Sequence, residues 1–367
     1  MKFTCNKEEL NNAINTVSKA VSSRTTMPIL ECVLITAEDG KISLTGNDLE
    51  IGINSAPIES ETEENGKAAI EARLFSEIIR KLNGNEVTID TSDGKTAKIN
   101  CAMSEFNIMT SDAADFPAIA DVEKNNGYTI KQCELKRMIN ETIFSVADDE
   151  TKPVLTGELL EIKSKCAEIV AVDGFRISYR KTDIDEQPGD AKVIVPAKAM
   201  REISRILSDD EESTAEIYIT DKHILFSINE NIIVSRLIEG DYIKYDQTFT
   251  NEYKTKISVN CDDFISALER ATLISRDNKK MPVKLEISGG KIVLTAQTEI
   301  GKAYEEVECS SEGENLKIAF NPRFLIEALR ACEDESVCIQ FNGALSPCII
   351  KPENGDCFKY LVLPLRM

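Results

Sequence analysis

The sequence predicts an α+β chain of three similar domains, each made of two antiparallel-sheet and helix half-repeats. Three observations predict it. A pair of basic residues recurs at one spacing, a second helix pattern has nearly the same period, and short alternating segments fill the stretches between. The period is close to 125 residues, too long for a solenoid unit and the right size for a domain, so 367 residues make three.

The basic pairs come first. They are Arg73 and Arg80 in IEARLFSEIIRKL, Lys198 and Arg205 in VPAKAMREISRIL, and Arg323 and Arg330 in FNPRFLIEALRAC, each member recurring after 125 residues. Seven residues is close to two helical turns, so both cations of a pair lie on one face. The opposite face is apolar: Leu74, Phe75, Ile78, Ile79 and Leu82 in the first copy, Met200, Ile203, Ile206 and Leu207 in the second, Phe324, Leu325, Ala328 and Leu329 in the third. A single such helix reads as an ordinary solvated face. Three in register point to a polyanion met by repetition and not to one catalytic pocket.

A second helix pattern precedes each of these. Leu10, Ile14, Val17 and Val21 match Leu135, Ile139, Thr142 and Val146, and match Phe264, Leu268, Ala271 and Ser275 after a further shift of 129. A proline then precedes an extended run at Pro28-Ile29-Leu30, Pro153-Val154-Leu155 and Pro282-Val283-Lys284. Strands are expected at Lys2-Phe3-Thr4-Cys5, Leu30 to Thr36, Lys41 to Thr45, Glu86 to Asp90, Thr96 to Cys101 and Phe106 to Thr110, with Asp39-Gly40 and Asp93-Gly94 as hairpin turns. The expected domains are residues 1–125, 126–250 and 251–367. Neither linker is rich in Gly and Ser, which predicts domains fixed on one another.

The formal net charge is -20, from 63 acids against 43 bases. The sum alone argues against nucleic acid. The acids, however, crowd 59–64, 148–150, 183–186, 209–212 and 305–308, read as turns and strand ends, while the bases recur on helices. Several chemistries drop out. Eleven cysteines, with no Cys-x-x-Cys, give no zinc or iron–sulfur spacing, and with no signal-peptide pattern they read as reduced cytosolic thiols, some buried in strands as at Cys101 and Cys348. The single histidine, His223, reads as a turn or strand start. Asp148-Asp149-Glu150 reads as an exposed loop, since consecutive side chains diverge. Gly66-Lys67, Gly94-Lys95 and Gly301-Lys302 complete no phosphate loop, and no apolar run spans a membrane. No cofactor or metal is expected.

Motifs along the whole chain carry a resemblance. Met1-Lys2-Phe3-Thr4, Thr26-Met27-Pro28-Ile29-Leu30, Leu44-Thr45-Gly46-Asn47-Asp48-Leu49-Glu50 and Ala114-Asp115-Phe116-Pro117 are four of them. Ala171-Val172-Asp173-Gly174-Phe175-Arg176, Val193-Ile194-Val195-Pro196 and the tail Tyr360-Leu361-Val362-Leu363-Pro364-Leu365-Arg366-Met367 are the others. Each is weak alone; in this order they resemble the bacterial DNA polymerase III beta subunits, the sliding clamps.

The resemblance implies the DNA clamp fold and a head-to-tail homodimer whose six domains close a ring lined by helices, a non-catalytic processivity factor held on duplex DNA by topology. It implies further partners: the polymerase III catalytic subunit, the clamp-loader complex, and other proteins with a clamp-binding motif, such as repair polymerases, mismatch-repair proteins and ligase. It implies no membrane and a cytoplasmic, nucleoid-associated location. Arg24, Arg73 and Lys198 match DNA-contacting positions; Arg80, Arg205, Arg323 and Arg330 join them from the repeat. The loop Asp148-Asp149-Glu150-Thr151-Lys152 departs from the polar and aromatic one of the family's best-known member, and only Lys152 keeps a suitable charge there.

A partner-peptide pocket is implied at Leu155, Val172, Gly174, Phe175, Arg176, Ile177, Ile243, Pro347, Leu361, Val362, Leu363, Pro364, Leu365 and Arg366, with Arg176 and Arg366 on its polar edge. The tail reads equally as a buried last strand, and both readings stand together if that strand forms a pocket wall. Phe175, where histidine is common in the family, and Gln247, where arginine can occur, imply an altered peptide preference and not loss of the pocket. The dimer seam is implied at Phe106, on the edge strand Glu105 to Thr110, facing Leu273 and Ile274; an ordinary core phenylalanine is the other reading of Phe106. Two rival classes remain at this stage, a carboxylate-based nuclease or hydrolase and a peptide scaffold that ignores DNA. The first needs an acid cluster with a metal, the second has no use for the repeated cations.

Overall fold

The computed structural model describes all residues except 23–24, 251, 275–280 and 367. The chain forms two compact units, one of Met1–Cys133 with Glu202–Leu237, the other of Glu134–Arg201 with Ile238–Met367.

The first unit holds a thirteen-stranded antiparallel sheet. Strand Lys2–Asn6 pairs on one side with Ile58–Glu64 and on the other with Glu86–Asp90. Cys32–Glu38 and Lys41–Asn47 form a hairpin through Asp39 and Gly40, both at positive φ (51° and 76°), as a tight two-residue turn requires. Ile51–Asn54 pairs with Lys41–Asn47 and also with Asn231–Arg236, so the sheet runs on into the strands of residues 214–236. The linker is fastened here: Asn47 donates to the Pro117 carbonyl at 3.1 Å, and Ile119 and Val122 pack with Leu225 and Val234.

Two helices lie on the early strands. Helix α1 (Lys7–Val17) starts where the Asn6 side chain accepts from the Glu8 and Glu9 amides, and buries Leu10, Ala13, Ile14 and Val17. Helix α2 (Ala72–Lys81) is capped by Glu71, packs against α1, and buries Ala72, Phe75, Ile78 and Ile79. Gly46 lets α1 approach the sheet: a Cβ there would stand 2.2 Å from the Val17 carbonyl oxygen.

Helix α3 (Gln132–Asn140) buries Leu135, Met138 and Ile139, and α4 (Ala197–Ile206) buries Ala197, Ala199, Met200 and Ile203. The second unit holds a nine-stranded and a four-stranded sheet, with α5 (Cys261–Thr272) and α6 (Pro322–Arg330) packed together. Asn260 and Asn321 cap these two, and Pro322 opens α6 at the position where a missing N–H costs nothing. The tail strand Phe358–Val362 pairs with Arg176–Asp183 on one side and Cys348–Pro352 on the other.

The structure corrects four details of the sequence reading. Pro28–Glu31 and Pro153–Leu155 are 3-10 turns, the first closed by the Leu30 amide on the Met27 carbonyl, because proline fits the first turn of a helix; the strands start at Cys32 and Gly157. Residues 59–64 and 305–308 lie inside strands Ile58–Glu64 and Lys302–Glu308, whose outward positions accept alternating acids. Leu74 is exposed, since it sits one residue from Arg73 on the rim of the helix face. The Asp93-Gly94 turn lies in a five-residue connection between Glu86–Asp90 and Thr96–Cys101, held by Asp93 accepting from the Lys95 and Thr96 amides. Ser275, in the third copy of the first helix pattern, lies outside the described residues. His223 begins strand His223–Ile228, and the cysteines are free thiols, with Cys101 and Cys348 buried in strands.

Candidate functional site

The basic stripe is built the same way in the first and last thirds of the chain. On α2, Arg73 and Arg80 are exposed on the face opposite Phe75 and Ile79. On α6, Arg323 and Arg330 are exposed opposite Leu325 and Leu329. Each helix also carries a carboxylate one turn on. Arg73 Nε lies 3.6 Å from Glu77, and Arg323 Nε lies 2.6 Å from Glu327. Arg330 pairs with Glu269 of α5. Beside α2 lies a cleft of about 510 Å³, lined by Arg73, Glu77 and Arg80 and by Ser18, Val21, Ser22 and Glu31 of the segment after α1. Between α5 and α6 lies one of about 460 Å³ lined by Glu269, Arg323, Glu327 and Arg330.

On α4, Lys198 and Arg205 are both exposed, and Arg205 pairs with Glu202 at 2.6 Å. Lys152 is exposed in the loop after α3, where Asp149 accepts from the Thr151 amide and hydroxyl. Those hydrogen bonds hold the Asp149 carboxyl below its usual range. Asp148 lies near enough to Arg323 to favour its charged form, though Glu327 does so more strongly. Arg24 lies outside the described residues.

The residues expected at a peptide pocket lie in the second unit. The Cys166–Val172 strand turns into Arg176–Asp183 through Asp173 and Gly174, and the turn needs the positive φ of Gly174 (89°). Asp173 accepts from the Phe175 amide at 2.9 Å and the Arg176 amide at 3.1 Å. Leu155, Val172, Ile177 and Leu361 join one buried cluster with Tyr245 and Ile194. Above it Phe175 is exposed, its carbonyl accepting from the Leu363 amide at 2.9 Å. Pro347, Leu361 and Leu363 line a cleft of about 380 Å³ together with Thr248, Thr250, Gln340, Asn342, Ser346 and Ile349. The last group left no mark in the sequence reading, because polar residues of separate segments reach one cleft only through strand pairing.

The remaining expected residues sit around this centre. Ile243 and Arg366 are exposed, Pro364 and Leu365 half-buried, and the Leu365 amide donates to the Ala319 carbonyl at 2.8 Å. Val362 is buried among the α5 and α6 side chains. Arg176 is not on the polar edge, as the sequence reading has it; it is 5% exposed. Its Nε donates to Asp173 at 2.8 Å, its terminal nitrogens donate to Glu327 and to the Phe144 carbonyl, and its guanidinium lies 4.6 Å over the Phe324 ring. The acids and carbonyl supply what burial removes, so a charged side chain is held inside. Phe175 stacks on the same Phe324 ring at 6.2 Å.

Phe106 is 41% exposed, so it is not an ordinary core phenylalanine of this chain. Its strand, Ser104–Ser111, pairs fully with Thr96–Cys101 but meets Gly66–Glu71 only at Ser111 and Thr110, leaving residues 104–109 with one free edge. Met109 on the same strand is exposed as well. In the other unit Leu273, at the end of α5, is 74% exposed and Ile274 half-buried. Strand Lys302–Glu308 is an outer strand of the four-stranded sheet.

Among the described residues no group of three or more His, Cys, Asp or Glu side chains could hold a metal, and no helix is long and apolar enough to cross a membrane.

Comparison with known proteins covers the chain from end to end. The DNA polymerase III beta subunit family matches in three parts: its N-terminal domain over residues 1–120, its central domain over 129–244 and its C-terminal domain over 246–366. A beta sliding clamp of Staphylococcus epidermidis is 34% identical over 376 residues, covering 100% of this chain and 99% of that protein. Among solved structures, a chain described as a DNA polymerase III beta subunit from Eubacterium rectale is 40% identical with a TM-score of 0.95, covering 100% of both chains. The DNA polymerase sliding clamp of Bacillus subtilis is 34% identical, also at 0.95, covering 100% of this chain and 99% of the other.

Proposed function

From the premise that this chain belongs to the DNA polymerase III beta subunit family, the sliding clamps, we propose that two copies close head to tail into a ring around duplex DNA. The protein is a non-catalytic processivity subunit of three clamp domains, taken here as residues 1–125, 126–250 and 251–367. The ring tethers the polymerase III catalytic subunit, and also the clamp loader and repair, mismatch-repair and ligase proteins, through short peptides that enter the pocket around Phe175, Leu361 and Leu363. It works in the cytoplasm, on the nucleoid.

The observation that carries this reading is the recurrence of the basic stripe after 125 residues, on three helices that each bury the opposite face. Arg73, Arg80, Lys152, Lys198, Arg205, Arg323 and Arg330 face the duplex in this reading, and Arg24, outside the described residues, is proposed as a further phosphate contact. Phosphate contacts carry no sequence information, so a stripe of this kind centres the DNA without reading it. The body has a net charge of -20 and would repel DNA over most of its surface. Affinity from a few cations falls steeply with salt, and topology does not. The seam joins the free edge at Phe106 to Leu273 and Ile274 of the second copy.

Retention on DNA tests the reading. The protein is loaded on a nicked circle with a clamp loader and ATP, and the circle is then cut. Retention on the circle with loss from the linear form is expected. Equal retention on both would reduce the protein to a surface binder and remove the ring.

A further inference from the structure

We infer that Glu327 is a positioning residue that couples the peptide pocket to the DNA-facing stripe, so that DNA in the ring tightens peptide binding. The inference rests on the proposed function of both surfaces. Glu327 sits on α6 between two guanidiniums. One carboxylate oxygen accepts from Arg176, the other from Arg323 at 2.6 Å. Both arginines hold its carboxyl below the usual range, against the opposing effect of its burial.

The two arginines differ in what surrounds them. Arg176 is buried, fixed by Asp173 and the Phe144 carbonyl, and lies over the Phe324 ring. Phe175, the exposed aromatic of the pocket, stacks on the same Phe324 ring at 6.2 Å. Arg323 projects from the helix and is 60% exposed. A phosphate can therefore draw Arg323 away from Glu327, and nothing comparable can reach Arg176.

When phosphate takes Arg323, the whole charge of Glu327 falls to Arg176. The Arg176 guanidinium is then held more firmly over Phe324, and with it the ring on which Phe175 rests. A pocket wall with fewer accessible arrangements loses less entropy when a peptide docks. Linkage demands the converse by the same factor: a bound peptide raises affinity for duplex.

The test uses the full-length protein at low salt, a fluorescent peptide ending in Leu-Phe, and a short linear duplex that can thread a ring from its end. Saturating duplex is expected to lower the peptide Kd of the wild type about fivefold, at the low end of ordinary coupling. Saturating peptide is expected to lower the duplex Kd by that factor. Glu327→Gln and Arg323→Ala should bring the ratio to one. Arg73→Ala, a stripe arginine without a link to the pocket, should weaken duplex binding and keep the ratio. A merely structural Glu327 would shift stability or both affinities and leave the ratio alone. If Glu327→Gln does not fold, the comparison of Arg323→Ala with Arg73→Ala decides. Both ligands binding the wild type with a ratio of one would overturn the coupling and leave the proposed function standing, as would a ratio kept by Arg323→Ala or lost in Arg73→Ala. Failure of the wild type to bind the peptide or the duplex would remove that surface, and the coupling with it.

Discussion

Glu158 shows how one buried group sets a pH dependence. It is fully buried, and burial raises its carboxyl from an ordinary 4.5 to about 8. The Thr142 hydroxyl lies 2.6 Å from Glu158 and 2.7 Å from the Met138 carbonyl, and its one proton can serve only one of them. A protonated Glu158 donating to Thr142 satisfies both. The folded state thus binds this proton more tightly than the unfolded chain does. The stabilisation is full below about pH 4.5, is lost as pH rises, and is gone above about pH 8. Glu158→Gln should therefore raise stability at pH 8 and above by a few kcal/mol, on the order set by the shift, with little effect at pH 4.5, as read from urea midpoints across that range. Arg176 gives the opposite case. Arg176→Ala leaves Glu327 to Arg323 and Asp173 to two backbone amides, but takes a buried donor from the Phe144 carbonyl and a guanidinium from the Phe324 ring, and should cost about 1–3 kcal/mol; a urea midpoint equal to that of the wild type would show that the site relaxes around the loss.

At the scale of elements, the contacts that matter are close approaches and free edges. Helix α1 reaches its sheet because Gly46 has no side chain, and Gly46→Ala would place a carbon 2.2 Å from a backbone oxygen. A loss of about 1–3 kcal/mol is expected from such overpacking, visible as a lower Tm. The edge of Ser104–Ser111 is open over residues 104–109, with Phe106 and Met109 exposed beside it. An open apolar edge invites pairing with another chain. Replacing Leu273 and Ile274 together by glutamate should give monomers in sedimentation; a dimer surviving at nanomolar concentration would move the seam elsewhere.

At the scale of the whole molecule, an acidic body carries a repeated basic stripe. Arg73→Glu with Lys198→Glu should reduce loading on circular DNA and reduce the salt slope of duplex binding, with the fold kept, because both side chains are exposed. An unchanged slope would mean that phosphates meet other cations. The wild type, once loaded on a closed circle, should stay on in salt that strips it from a linear duplex.

The sequence by itself determined the repeat, the helices and the strands at Glu86–Asp90 and Thr96–Cys101, because helical and strand periodicity are local properties of side-chain order. It also placed the stripe, since residues seven apart share a helix face whatever packs behind them. It could not place Arg176. A lone arginine after a turn reads as a rim charge, and only the tertiary structure brings Asp173, Glu327 and the Phe144 carbonyl around it from three segments. The same holds for the cleft at Gln340, Asn342 and Ser346. Pairing of the tail strand with Arg176–Asp183 joins segments more than 150 residues apart in sequence, and no local pattern encodes which strands will meet.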